Sequence, residues 1–188
     1  MRCAAFAAAA VVLAGCSSDQ DTKIYRVPSS SMEPTLHCAR PGIGCEADQM
    51  DRVAARPYGD GDPARGDIVV FRTPPLAARE CGSGGTFIKR VIALPAEVWK
   101  ERSGFVYIDG RKLNEPYVRP ERRDTETYTL ADIPPRGRYS RVPEDMYFLM
   151  GDNRVSSCDS RRWGFAARTS IIAKVFEIKR GSKRIHIR

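Results

Sequence analysis

Beyond residue 20 the apolar residues come in short runs rich in β-branched and aromatic side chains, and no internal repeat or helix-period segment of good length interrupts them. The runs are Asp67-Ile-Val-Val-Phe-Arg72, Thr86-Phe-Ile-Lys-Arg-Val-Ile-Ala93, Gly104-Phe-Val-Tyr-Ile-Asp109, Met146-Tyr-Phe-Leu-Met150 and Ile171-Ile-Ala-Lys-Val-Phe-Glu-Ile178, bounded by Gly, Pro or Asp. Such side chains pack well on a pleated surface, so the runs are expected to be strands of a mainly β sandwich or barrel. Asp109-Gly110 is a hairpin signal, with Lys112-Leu113 beginning the return strand. Residues 115–142 are rich in Pro and charge with little periodicity, and roughly 100–142 reads as a small second lobe inserted into the main body.

A length of 188 residues suits one domain carrying a small insertion, and a composition of 42% hydrophobic and 29% charged residues excludes a disordered chain. The first residues differ from the body. Met1-Arg2 is followed by an uninterrupted apolar run, Ala4 to Ala14, and then by an abrupt polar turn at Gly15-Cys16-Ser17-Ser18-Asp19, which is the grammar of an export leader. Eleven helical residues reach about 16 Å, roughly half of a ~30 Å hydrocarbon core, so removal is the expected fate rather than a stable span. Leu13-Ala14-Gly15-Cys16 resembles the lipobox of bacterial lipoproteins, which makes Cys16 a candidate lipidation site; an Ala-rich leader with an incidental cysteine is the alternative. Residues 1–15 are thus read as a lipoprotein-like signal peptide and 16–24 as a tether.

The formal charge of +8 falls to +7 without residues 1–15, which hold one Arg and no acid. The basic residues are spread along the chain without the stacked aromatics of a nucleic-acid site, so no nucleic acid is expected, and an anionic phospholipid surface is the better partner. Four cysteines follow Cys16, and on the exported side of a membrane disulfides are permitted. Cys38 and Cys45 flank a turn-rich loop that could close on itself; Cys81 and Cys158 could form a second bridge, or Cys158 could be a small buried residue.

Three constellations carry chemistry. In Val27-Pro-Ser-Ser-Ser-Met-Glu-Pro-Thr-Leu36, hydroxyls lie between prolines that restrict the backbone and can aim one of them, although alone the stretch would pass for an ordinary surface turn. In Gly85-Thr-Phe-Ile-Lys-Arg-Val-Ile-Ala-Leu-Pro95, Lys89 follows apolar residues; a buried amine loses its proton readily and can then accept one from a serine. Met150-Gly-Asp-Asn-Arg-Val-Ser-Ser-Cys-Asp-Ser-Arg-Arg-Trp-Gly164 packs turn formers, hydroxyls and an acid/base pair into one segment.

Taken together, the three resemble the ordered motifs of the bacterial type I signal peptidases, a Ser/Lys serine peptidase family: Ser-Met-x-Pro-Thr-Leu, Gly66-Asp-Ile-Val-Val-Phe71, the Lys-Arg-Val strand ending in Leu-Pro, and Gly-Asp-Asn with Ser-x-Asp-Ser-Arg-x-x-Gly-Phe. The resemblance covers most of residues 25–99 and 143–180. It implies an antiparallel β-sheet catalytic core, in two parts at 25–99 and 143–188, around an insertion lobe at 100–142. It implies Ser31 as nucleophile and Lys89 as general base, Ser29 with the Ser31 amide as oxyanion donors, Ser157 as the hydroxyl orienting the lysine, and Asp159 with Arg161 as a brace. It further implies a monomeric, membrane-bound endopeptidase on the extracytoplasmic side that cleaves signal peptides from exported preproteins, with no cofactor and no metal. Where members commonly have Leu-Pro-Gly-Asp, this chain has Leu94-Pro-Ala-Glu97. His37 and His186 are ill placed for a Ser/His hydrolase, and Pro34 stands where a Ser-x-x-Lys enzyme would need its lysine. A Ser/Lys processing peptidase of a conjugation or secretion system, or a non-catalytic lipoprotein on the same scaffold, are the alternatives.

Overall fold

The computed structural model describes residues 21–59 and 61–187; the leader and Cys16 lie outside the described residues. All strand pairs are antiparallel. The strands and helices are β1 (Lys23–Arg26), β2 (Arg52–Arg56), β3 (Ile68–Arg72), α1 (Pro75–Cys81), β4 (Thr86–Ala93), β5 (Trp99–Arg102), β6 (Phe105–Ile108), β7 (Arg111–Lys112), β8 (Tyr128–Thr129), β9 (Met146–Met150), α2 (Ser160–Trp163), β10 (Ala166–Ala167), β11 (Ile171–Arg180) and β12 (Lys183–His186).

An eight-stranded sheet runs β1-β2-β11-β3-β4-β9-β10, with β12 pairing to β11, and a four-stranded sheet runs β7-β6-β5-β8. The long β11 spends its first half against β3 and its second half against β12, while β2 occupies its other edge. Every run expected to be a strand is one. β1 begins at Lys23, inside the segment read as a tether, and the small sheet starts at Trp99.

The central strands are apolar at nearly every position because both of their faces are covered. On β3, Ile68 and Val70 enter one core with Val27, Met32 and Leu36, while Val69 and Phe71 enter another with Trp163 and Leu149. On β9, Tyr147 and Leu149 join that second core, whereas Phe148 and Met150 join a third, with Trp99, Val106 and Ile133, which glues the small sheet to the large one. Asp109 and Gly110 turn the β6–β7 hairpin at φ 48° and 79°, the left-handed pair that the Asp-Gly signal predicts.

Helix α1 is the element that the strand pattern does not announce. Its local grammar is nonetheless present: Pro75 opens it, where a missing N–H costs nothing, and Gly82 closes it in the left-handed conformation at φ 67°. Among the described residues no helix is long and apolar enough to cross a membrane.

Candidate active site

The segment holding Ser31 leaves β1 through Val27-Pro28 and forms a 3-10 turn over Ser30–Met32. Met32 and Leu36 are fully buried and pin this turn to the core beside β3. Ser31 is thereby held 8% exposed, with its carbonyl accepting the Asn153 N–H at 3.1 Å. Asn153 also donates from its side chain to the Ser30 carbonyl at 3.0 Å, so the Gly-Asp-Asn segment grips the turn twice.

Lys89 comes from the middle of β4, where it pairs with Val69 and is 3% exposed. Its Nζ lies 2.6 Å from Ser31 Oγ, and Ser29 Oγ lies 3.3 Å from the same oxygen. Burial strips the ammonium of water and brings the Lys89 pKa down to about 8; the Asp159 and Asp152 carboxylates oppose that fall and the Arg161 guanidinium aids it. A lysine near pH 8 is neutral often enough to act as a base.

Behind Ser31 and Lys89, Asp159 caps α2, accepts from the Gly151 N–H at 3.1 Å and pairs with Arg161 through two bonds of 2.9 Å. Burial alone would raise the Asp159 pKa, but the Arg161 charge and its hydrogen bonds hold it below the ordinary value. Arg161 reaches further, to the Arg154 carbonyl at 2.7 Å and Asp124 at 2.8 Å, tying the last motif to the insertion segment.

Ser157 Oγ is buried without a geometrically complete hydrogen bond among the described residues, yet lies near enough to Asp159 to help lower that carboxyl's pKa. A Cβ on Gly151 would stand 2.3 Å from both Ser157 Oγ and the Ser31 carbonyl, so any side chain there would collide with both.

A cleft of about 320 Å³ opens beside Ser31 and Lys89, with Val27, Met32, Phe87 and Ile88 as apolar walls. Cys81 and Cys158, joined as a disulfide, form part of its rim, and Cys38 is joined to Cys45. Glu33, His37 and Glu46 bring possible metal-ligand atoms within 4.8 Å of one another. Those donors are already engaged: Glu33 accepts from the N–H groups of Cys38 and Glu46 and bonds His37, while Glu46 pairs with Arg119 and Arg122.

Comparison with known proteins matches the family described as signal peptidase, peptidase S26, over residues 1–179. The chain belongs to the S26 signal peptidases. A probable signal peptidase I-2 of Synechocystis sp. is 36% identical over 152 residues, which make up 80% of this chain and 59% of that protein. Signal peptidase I of Bacillus caldolyticus is 33% identical over 80% of this chain and 75% of its own length. The crystal structure of a signal peptidase I from Enterococcus faecalis V583 superposes with a TM-score of 0.50 at 34% identity, covering 61% of this chain and 97% of that one. The match to the Synechocystis relative thus spans less than two thirds of its length.

Within this member of the S26 family the structure gathers Ser29, Ser31, Lys89, Ser157, Asp159 and Arg161 around one centre. It also assigns positions that residue types alone had not singled out. Arg90 donates to Asp152 at 2.9 and 2.7 Å, and Thr35 donates to the same carboxylate at 2.5 Å, so the Ser-Met-x-Pro-Thr-Leu and Gly-Asp-Asn motifs are stapled together. Arg154 and Glu115 form a buried pair, again between the last motif and the insertion segment. The signal that could have found these was present: each lies in, or directly beside, a quoted motif, except Glu115.

Proposed function

We propose that this S26 peptidase cleaves signal peptides from exported preproteins with a Ser31/Lys89 dyad. The observation that carries the reading is the 2.6 Å approach of a buried Lys89 amine, its pKa brought down to about 8, to the Ser31 hydroxyl. Neutral Lys89 takes the Ser31 proton as Oγ attacks the carbonyl that follows a small residue. The Ser29 hydroxyl and the Ser31 N–H stabilise the oxyanion, each such donor being worth roughly 3–4 kcal/mol in acyl transfer. The protonated amine then gives its proton to the leaving amine, and water activated by the same lysine releases the acyl group from Ser31. Ser157, whose hydroxyl lies beside the Asp159 carboxylate, orients the amine, and Asp159 with Arg161 braces the wall behind it. The small apolar cleft suits the short side chains at the end of a signal peptide.

In this reading residues 25–99 and 143–188 form the catalytic core around an insertion lobe at 100–142. A lipidated Cys16 and the basic body hold the monomeric enzyme on an anionic phospholipid surface, on the extracytoplasmic side of the membrane. The deciding experiment is cleavage of a purified preprotein in detergent by wild type, Ser31→Ala and Lys89→Ala. Only wild type should process it, and turnover by either variant would overturn the dyad. Intact mass of the membrane-extracted protein tests the anchor: a lipid-bearing chain beginning at Cys16 is expected, and an unmodified chain beginning at Met1 would refute it.

A further inference from the structure

A second, larger cavity of about 650 Å³ lies on the other side of the Arg154–Cys158 segment. Ser156 and Cys158 face the apolar cleft already described, whereas Val155 and Ser157 face this one. Through Ser157, which crowds the same side of Gly151 as the Ser31 carbonyl, the cavity reaches the proposed catalytic centre. On the peptidase reading, a polypeptide that fills the apolar cleft up to a scissile carbonyl at Ser31 continues beyond the cleft, and the second cavity is the neighbouring space, sharing the Arg154–Cys158 segment as its wall.

The lining of this cavity differs in kind from that of the cleft. Arg79 on α1, Arg136 in the turn after Pro135 and Arg162 on α2 come from three separate segments, all exposed. None makes a salt bridge among the described residues, although Arg136 lies close enough to lower the pKa of Asp132. Asp124 and Arg161, also in the lining, are paired with each other, which leaves Glu80 as the one unpaired acid beside three arginines. The free charge of the cavity is therefore positive. Guanidinium groups recognise carboxylates in a fork geometry that suits Asp and Glu side chains.

We infer that this arginine-lined cavity binds the segment of the preprotein that follows the cleaved bond and favours acidic residues there. The inference rests on the peptidase reading of Ser31 and Lys89 and adds a charge preference to it. The three side chains are exposed, so each pairing is modest and screened by salt, and their combined effect is expected to be roughly three- to tenfold in specificity.

The test uses the full chain in detergent and two purified preproteins, identical except that the first five residues after the cleavage point contain either three Asp or Glu or the matching Asn and Gln. At low salt wild type should show the higher kcat/KM on the acidic substrate, roughly three- to tenfold, and half-molar NaCl should erase the difference. The triple variant R79Q/R136Q/R162Q should lose that preference while cleaving the neutral substrate as wild type does. An unchanged preference in the triple variant, or an equal loss on both substrates, would overturn the inference. Weakened binding of the triple variant to phosphatidylglycerol vesicles, with the acidic preference intact, would make the cavity a lipid-headgroup site and also overturn it. Failure of wild type to cleave either substrate would refute the peptidase reading itself; retained cleavage without a charge effect refutes only the cavity's role.

Discussion

Lys89 and Arg90 are neighbours on β4, 3% and 7% exposed, and the two sides of the strand treat their charges in opposite ways. Arg90 meets a bidentate Asp152, an accepting Gly66 carbonyl and the Tyr117 ring at 3.9 Å. Desolvation would lower its pKa, but the Asp152 hydrogen bonds and charge outweigh that, and the result is raised. Lys89 meets a hydroxyl at bonding distance and carboxylates only further off, so desolvation wins and its pKa falls to about 8. Burial alone therefore does not lower a pKa. Burial without an anion at contact does, and the chain places its contact anion on the arginine's side.

The largest expected effect breaks the Lys89 side outright. Ser31→Ala and Lys89→Ala should each lower kcat at least a thousandfold with the circular dichroism spectrum unchanged, because a dyad acts as one unit. Lys89→Arg should be as dead, since a guanidinium stays protonated. Measurable turnover by the arginine variant would show that the group at this position is not a proton acceptor.

On the other side, Asp152→Ala leaves the Arg90 guanidinium buried and unpaired, which should cost about 3–5 kcal/mol in denaturant unfolding. Removing both charges, Arg90→Met with Asp152→Leu, should recover most of that loss. A double variant as unstable as the single would mean that the pair is needed for more than mutual neutralisation.

Lys89→Met should do the opposite and stabilise. A fall from the ordinary 10.5 to about 8 corresponds to about 3 kcal/mol of disfavoured charge at neutral pH, partly offset by the lost bond to Ser31. Between about 8 and 10.5 the unfolded chain holds a proton that folded Lys89 has released, so wild-type stability rises with pH across that window. The gap between the Lys89→Met and wild-type midpoints should thus narrow from pH 7 to pH 9.5; a constant gap would contradict the lowered pKa. The same titration should appear in catalysis as kcat/KM rising about tenfold per pH unit below about 8 and levelling above it.

The smallest effect lies at the end of the same strand, remote from both charges. Ala96 sits at φ 66°, a left-handed conformation that favours glycine, while Glu97 accepts the Leu94 N–H at 2.8 Å and pairs with Arg65. Ala96→Gly should raise stability by about 1 kcal/mol through relief of the left-handed strain and leave the pH profile of cleavage unchanged. A shift in that profile would tie the turn to the Lys89 environment.

Strand identity was readable in the linear order because both faces of β3 and β9 are buried, which demands nearly unbroken apolar runs, and β4 differs only by the Lys89-Arg90 pair in its middle. The segments that carry Ser31, Asp159 and Arg161 were likewise readable as turns, since their Pro, Gly, Asp and Ser residues obey local backbone rules. Hairpin and helix ends obey local backbone rules, which is why Asp109-Gly110 and the Pro75 and Gly82 termini of α1 can be matched to their conformations one residue at a time. What a lysine's pKa becomes is not local: residues 31, 89, 152, 159 and 161 meet only when β4 pairs with β9, and desolvation is a property of the closed core rather than of any segment. The same holds for the Arg90–Asp152 staple and the three-arginine cavity, whose members are brought together by packing across separations that no spacing rule encodes.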